Sequence, residues 1–390
     1  MMREFDFDAP VERRGTWSYK WHGAEDNDVI PLWVADMDFC TAPPVVEALQ
    51  RRAAHGVFGY VAVPDEFYNA AIGWFHRRHG WDIEREWIQY TTGVVPAVSV
   101  VIKALTRPGD KVLMLTPIYN CFFSCIRNNG CEIEESPLIY RDDATYAIDW
   151  EDLDCRLADP AVKVLLFCNP HNPACRVWSA EELSRVGNMC IRHNVRIISD
   201  EIHCELVMPG HRYTPFGSVS SEIQNQVITC VSPSKSFNTA GLQAAIIVCN
   251  DAELRAKIDR AINDNEVCDL NPFGVEAFIA AYNHGEPWLD GLCRYIQTNF
   301  NWLRDELLRH LPMLRITPLD GTYLMWVNCS ALGMDGDQMT QFLMEKAHVQ
   351  VNPGSMYGEA GKPFIRINLA TQLERLQEAA RRMVAALAAR

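Results

Sequence analysis

The sequence contains no run of eighteen or more apolar residues, so nothing in it reads as a membrane-spanning helix. Its first residues, MMREFDFDAP, are charged where a secretory leader would be apolar, and this predicts a cytoplasmic protein. Basic charge is scarce: 36 lysines and arginines stand against 50 aspartates and glutamates, a formal net charge of −14. A nucleic-acid backbone would be repelled at long range, and no basic run offsets the repulsion, so neither nucleic acid nor a membrane is an expected partner. G-x-G-x-x-G and G-x-S-x-G are both missing, which removes the main support for a dinucleotide-binding or serine-hydrolase reading. C-x-x-C is missing too, and CFFSC at 121–125 has no second motif to pair with, so no metal site is expected. His203 beside Cys204 does not change this, because adjacent residues of a strand face opposite sides.

Cysteine is plentiful, with fourteen in the chain. Cys168, Cys190, Cys230, Cys249 and Cys293 fall within strand-like and helix-like stretches, where they read as small core residues of a reducing compartment. A length of 390 residues exceeds the range in which one core keeps growing, so two domains are expected. Strand and helix signals alternate from about residue 46 to 285, the pattern of a mostly parallel α/β sheet. After that come a long helix in EPWLDGLCRYIQTNFNWLRDELLRHLP, strands in LRITPL, YLMWVNC and FIRINL, and a closing helix from Leu373 to Ala389. This is the pattern of a smaller α+β domain over 286–390. No internal repeat or low-complexity linker interrupts the chain.

Chemistry concentrates at the ends of three short β-rich runs. VITCVSPSKSFN places Lys235 between two serines just past a strand, and VRIISDEIHCEL ends its strand at Asp200. An amine and a distant buried carboxylate are what pyridoxal phosphate requires: one holds the aldehyde, and the other keeps the pyridine nitrogen protonated. VKVLLFCNPHNPACRVW is a strand emptying into a rigid turn, where Asn172, held by the following proline, can offer its amide to a ring oxygen. Between these strands, SAEELSRVGNMCIRHN reads as a helix with a Ser179–Glu182 capping box and with Leu183, Val186 and Cys190 on one face. Ligands of open parallel sheets gather at the carboxyl ends of strands. Singly, each residue has a plainer explanation: a surface lysine, a helix-capping carboxylate, a turn asparagine. Three successive strand ends in one chain favour a site.

The ordered segments resemble those of the fold type I pyridoxal phosphate enzymes, the aspartate aminotransferase superfamily, and within it the MalY/PatB group of carbon–sulfur β-lyases. The resemblance rests on HGVFGY (55–60), TGVVPA (92–97), TPIYNCF (117–123), SDEIH (199–203), SPSKSFN (232–238), GTYLMW (321–326), NPGSMYG (352–358) and IRIN (365–368). GTWSYKW and VADMDF carry it close to the first residue.

The resemblance implies pyridoxal 5'-phosphate as cofactor, with Lys235 as its lysine and later the acid/base at Cα. It implies Asp200 on the ring nitrogen, Asn172 on the phenolic oxygen and Tyr119 stacked on the ring. His203 falls where aminotransferases usually carry a tyrosine; a histidine packed under the sheet is the alternative. Gly93, Val94 and Val95 open a helix whose amides face an anion, with Pro96 in its first turn, and Ser232 and Ser234 add hydroxyls for the phosphate. Tyr60 would reach in from the second subunit of a homodimer, and residues 1–45 would form an arm joining the small domain, with 46–285 as the cofactor-binding domain. Gln243 stands near the place where aminotransferases put a phosphate-binding arginine.

An amino-acid substrate brings a carboxylate, for which Arg366 is the match, with a surface ion pair as the alternative. Asp38, Tyr357 and Ser355 are expected to border the side-chain pocket. The reaction expected is β-elimination from cystathionine or another cysteine S-conjugate, giving pyruvate, ammonia and a thiol. An aminotransferase could use the same residues, and a regulatory protein that keeps the fold and binds a protein partner is a reading from another class. Cys175 sits where many relatives have glycine, which predicts strain if that turn needs a positive φ.

Overall fold

The computed structural model of the protein describes residues 5–22 and 28–390. Its centre is a seven-stranded sheet in the spatial order Ile88–Thr91, Ala245–Val248, Val227–Val231, Arg196–Asp200, Val162–Cys168, Lys111–Thr116, Glu132–Pro137. The last five pair in parallel, whereas Ala245–Val248 runs antiparallel to both its neighbours. Parallel neighbours need a long crossover, usually a helix, and the link from Val231 to Ala245 holds only the lysine turn and a short 3₁₀ segment. The chain therefore doubles back.

The parallel strands are covered on both faces. In Lys111–Thr116, Val112 and Met114 enter one apolar cluster while Leu113 and Leu115 enter the other; Val164 and Leu166 are likewise divided from Leu165 and Phe167. This is why those runs read as continuous apolar stretches rather than alternating ones. The helix Ala180–Arg192 starts on the expected capping box of Ser179 and Glu182 and buries Leu183, Val186 and Cys190.

Past the helix Glu286–His310, an antiparallel four-stranded sheet has the order Arg315–Ile316, Leu324–Asn328, Phe364–Asn368, Asn352–Pro353. The helices Gly336–Ala347 and Leu373–Ala388 accompany it. Near the start of the chain, Ile30–Pro31 pairs in parallel with Val349–Gln350. The expected strand LRITPL shrinks to two residues, and the helix Gly336–Ala347 was not anticipated.

His203 and Cys204 lie in a turn beyond the strand that ends at Asp200, so strand alternation does not apply to them. Among the described residues no cluster of His, Cys, Asp and Glu could hold a metal ion, and no helix is long and apolar enough to cross a membrane. All fourteen cysteines are free.

Candidate active site

The carboxyl ends of the parallel strands open onto a cavity of about 260 Å³. Lys235 enters it from the turn after Val227–Val231, Asp200 from the last position of its strand, Asn172 from the turn after Val162–Cys168, and Tyr119 from just beyond Lys111–Thr116. Gly93, Val94 and Val95 line it at the start of the helix Val94–Leu105. The first amides of a helix have no partner within it and carry its positive end, so this wall is built for an anion. A larger groove of about 710 Å³ beside Trp150 and Arg185 shares no lining residue with the cavity.

Lys235 is enclosed by protein, and its remaining surface faces the cavity. Its Nζ donates to the Ala35 carbonyl at 2.6 Å. Burial and the Arg366 guanidinium bring its pKa down to about 8 against the pull of Asp36 and Asp200. Asp200 accepts a hydrogen bond from the Ile202 N–H at 3.0 Å, yet burial still pushes its carboxyl up to about 7, with Glu201 adding to the rise and Lys235 opposing it. A cation placed beside this carboxylate would remove that penalty.

His203 lines the same cavity, and its buried Nδ1 has no hydrogen-bond partner among the described residues. Burial, with Lys235 and Arg366 nearby, pushes its pKa down to about 3, so the ring is neutral and retains one donor and one acceptor. Asn172 Oδ1 accepts from Arg366 Nη1 at 3.3 Å, which fixes the oxygen end of its amide. Tyr119 packs edge-on to Phe122 at 5.5 Å, and burial with Cys121 close by raises its phenol far above the ordinary value.

Arg366, on Phe364–Asn368, is buried over the Tyr357 ring at 4.9 Å, and its Nη2 donates to the Trp33 carbonyl at 3.0 Å. Its Nε has no partner among the described residues. Tyr357 is buried beneath it and accepts from Asn352 Nδ2 at 3.2 Å; like Arg366 it is not among the residues lining the cavity, so the expectation that it borders the pocket is revised. The surface ion pair that stood as the alternative is absent from this arginine among the described residues; its contacts are a carbonyl, an amide oxygen and a ring.

Other expectations are revised. Asp38 does not border the cavity: it is fully buried against Lys20, Arg13 and Arg375, because three cations and the Trp21 N–H draw it away from the pocket. Ser355 donates to Asp337 on the surface. Ser232 lines the cavity but donates its proton to the Ala244 carbonyl at 2.6 Å, so it shapes the turn instead of offering a free donor. Ser234 and Gln243 line the wall nearby, Gln243 with φ 52°. Tyr60 is fully exposed and does not line the cavity of its own chain. Cys175 does adopt a positive φ, 58°, with its Sγ donating to the Leu324 carbonyl at 2.9 Å.

Sequence reasoning missed the residues that act through the backbone. The Ala35 carbonyl, which also accepts from the Tyr323 hydroxyl at 2.8 Å, lies within VADMDF, and a backbone oxygen leaves no side-chain pattern to read.

The aminotransferase class I and II family model matches residues 27–383. The chain is 42% identical over 386 residues to cystathionine beta-lyase PatB of Bacillus subtilis (strain 168), covering 98% of this chain and 100% of that one. It is 33% identical to protein MalY of Escherichia coli (strain K12), covering 99% of each. Among solved structures, cystalysin from Treponema denticola, which contains a pyridoxal 5'-phosphate cofactor, superposes with a TM-score of 0.95 at 34% identity over 99% of both chains. With that match and this cavity at the ends of its parallel strands, the chain belongs to the aminotransferase class I and II family and has the fold type I architecture of pyridoxal phosphate enzymes.

Proposed function

We propose that the protein is a pyridoxal phosphate-dependent carbon–sulfur β-lyase that cleaves L-cystathionine or another cysteine S-conjugate to pyruvate, ammonia and a thiol. One observation carries the reading: a lysine amine and a buried carboxylate of raised pKa face a single cavity closed at another wall by a helix amino terminus. The residues fit the cofactor. The unpartnered His203 Nδ1 needs a polar group in the cavity, the Asp200 carboxyl needs a cation, and the amides of Val94 and Val95 need an anion.

Bound pyridoxal phosphate supplies an aldehyde that captures the substrate amine and a protonated ring that withdraws electrons from Cα. Asp200 would keep the ring nitrogen protonated, while Asn172 and His203 would hold the phenolic oxygen. Tyr119 would cover the ring, and the start of the helix Val94–Leu105, with Ser234, would hold the phosphate. Arg366 would grip the substrate carboxylate, for which its Nε, without a partner among the described residues, has a donor to spare. Lys235, once released, takes the Cα proton, a task suited to an amine whose pKa is lowered to about 8. The electron pair left on Cα then expels sulfur from Cβ as a thiolate, and the apolar walls keep water from protonating Cα first. The three-carbon fragment takes up water to give pyruvate and ammonia.

The lyase fate, as opposed to amine transfer, is supported by the relatives' names and by Gln243 standing at the phosphate wall. We also propose a homodimer in which exposed Tyr60, in a stretch with exposed Val57 and Phe58, reaches the cofactor of the second copy. The proposed division is an arm over 1–45 joined to a small domain over 286–390, with 46–285 holding the cofactor; the pairing of Ile30–Pro31 with Val349–Gln350 supports the arm. Fourteen unpaired cysteines suit a cytoplasmic location.

The test is to mix purified holoprotein with L-cystathionine in the absence of any keto acid. Pyruvate and thiol should appear in equal amounts. Turnover that requires a keto acid would make the protein an aminotransferase.

A further inference from the structure

The backbone at 33–38 passes beside Lys235 and is held by side chains from several directions. Asn352 Nδ2 and Arg366 Nη2 donate to the Trp33 carbonyl at 2.9 and 3.0 Å. Asn368 Nδ2 donates to the carbonyls of Val34 and Asp36 at 2.6 and 2.7 Å. Asn238, three residues past the lysine, accepts from the Met37 N–H and donates to the Met37 and Phe39 carbonyls. Within this fixed strip, the Ala35 carbonyl receives two donors: Lys235 Nζ at 2.6 Å and the Tyr323 hydroxyl at 2.8 Å. Tyr323 is fully buried, and no step described above uses it.

A carbonyl oxygen has two lone pairs, and two donors on it leave it little freedom to drift. An amine anchored through one N–H directs its lone pair away from the anchor. Being uncharged, the carbonyl orients the amine without stabilising the ammonium form as a carboxylate would. A base needs that combination, since it must be both aimed and neutral.

We propose that the Ala35 carbonyl is the rest position of the Lys235 amine whenever that amine is not bonded to the cofactor, and that Tyr323 is the positioning residue that fixes this carbonyl. The proposal rests on the lyase reading, in which the released amine moves the Cα proton. Burial and Arg366 already favour the neutral amine, with Asp36, Asp200 and Cys121 acting in the opposite sense and neutral His203 alongside.

The test is Tyr323→Phe in the full-length chain, which keeps the buried ring and removes only the hydroxyl. In the apoprotein, pH-dependent labelling of Lys235 by a small amine-reactive reagent, followed by mass spectrometry, gives the titration midpoint of the amine. Without a competing donor the Ala35 oxygen binds the ammonium better, so the midpoint should rise by roughly half a pH unit. In the holoprotein, kcat should fall about tenfold while KM stays within about twofold, because aim is lost and substrate contacts are not. Should Tyr323→Phe fail to fold, Asn238→Ala loosens the same strip from the other side and should lower kcat with KM unchanged and shift the labelling midpoint. An unmoved midpoint in a folded variant overturns the inference, whatever kcat does, and leaves the lyase reading standing. A parent protein that acquires no visible cofactor absorbance overturns that reading instead.

Discussion

Two enclosed lysines in this molecule have opposite surroundings. Lys20 is completely buried, and its Nζ lies 2.8 Å from Asp38, which also receives Arg13 and Arg375. Burial alone would raise the Asp38 carboxyl, but Lys20, Trp21 and Arg375 outweigh it and hold the group well below the usual carboxylate range. Lys235 donates to a carbonyl, and the nearby Asp200 carboxyl is pushed up to about 7. Glu205 repeats the first pattern: fully enclosed as Asp200 is, it is nonetheless lowered to about 2 because His79, Arg78 and Trp74 overcome its burial. A complete ion pair holds the fold. A lysine and a carboxylate left electrostatically unsatisfied on either side of a cavity await a ligand that satisfies both.

Removing Lys235 on one side and the anion that pairs Lys20 on the other should have opposite consequences. Lys235→Ala should lower kcat/KM by more than about 10³-fold and abolish the visible cofactor band while leaving the fold intact. Asp38→Asn should do the reverse: unfolding in urea should show a loss of about 3–5 kcal/mol, the cost of leaving buried cations without their anion, while the folded fraction still binds cofactor. Arg366→Lys keeps the charge and loses the fork, so kcat/KM should fall roughly 10- to 100-fold.

The pH dependence of apoprotein stability separates the same groups. Asp200, with its folded pKa raised to about 7, binds more protons folded than unfolded between about pH 4 and 7, so stability falls as pH rises through that window. Lys235, lowered to about 8, is neutral in the folded state before it is in the unfolded chain, so its contribution to stability rises from pH 8 to about 10.4. Asp38, with a depressed pKa, contributes stability above about pH 4 that is lost in stronger acid. Urea titrations of Asp200→Asn and Lys235→Met should flatten the first and second slopes respectively, and neither should alter the acid loss.

The smallest effect belongs to Cys175. Replacing it by glycine removes left-handed strain but gives up a buried thiol and frees the unfolded chain, and these terms nearly cancel. A change in unfolding free energy of less than about 1 kcal/mol is expected.

What could be read from the sequence divides along physical lines. Strand ends and helix starts are local, so Lys235, Asp200, Asn172 and the Gly93–Val95 wall were legible as residues that converge on one cavity, whereas Tyr119 came from the family resemblance alone. The reversed strand Ala245–Val248 was not, because direction depends on what the link can span. The helix Gly336–Ala347 carried its own signal, the Asp335–Gln338 capping box, which passed unread between strand-like neighbours. Asp38 was misplaced because its partners are cations brought from residues 13, 20 and 375, distances along the chain that no local pattern spans.

The most direct measurement is borohydride reduction of the holoprotein followed by peptide mass mapping, which fixes the cofactor to whichever lysine holds it. The pyridoxyl mass should fall on the peptide containing Lys235 and on that residue within it. Its appearance on any other lysine, or on none, would contradict the account.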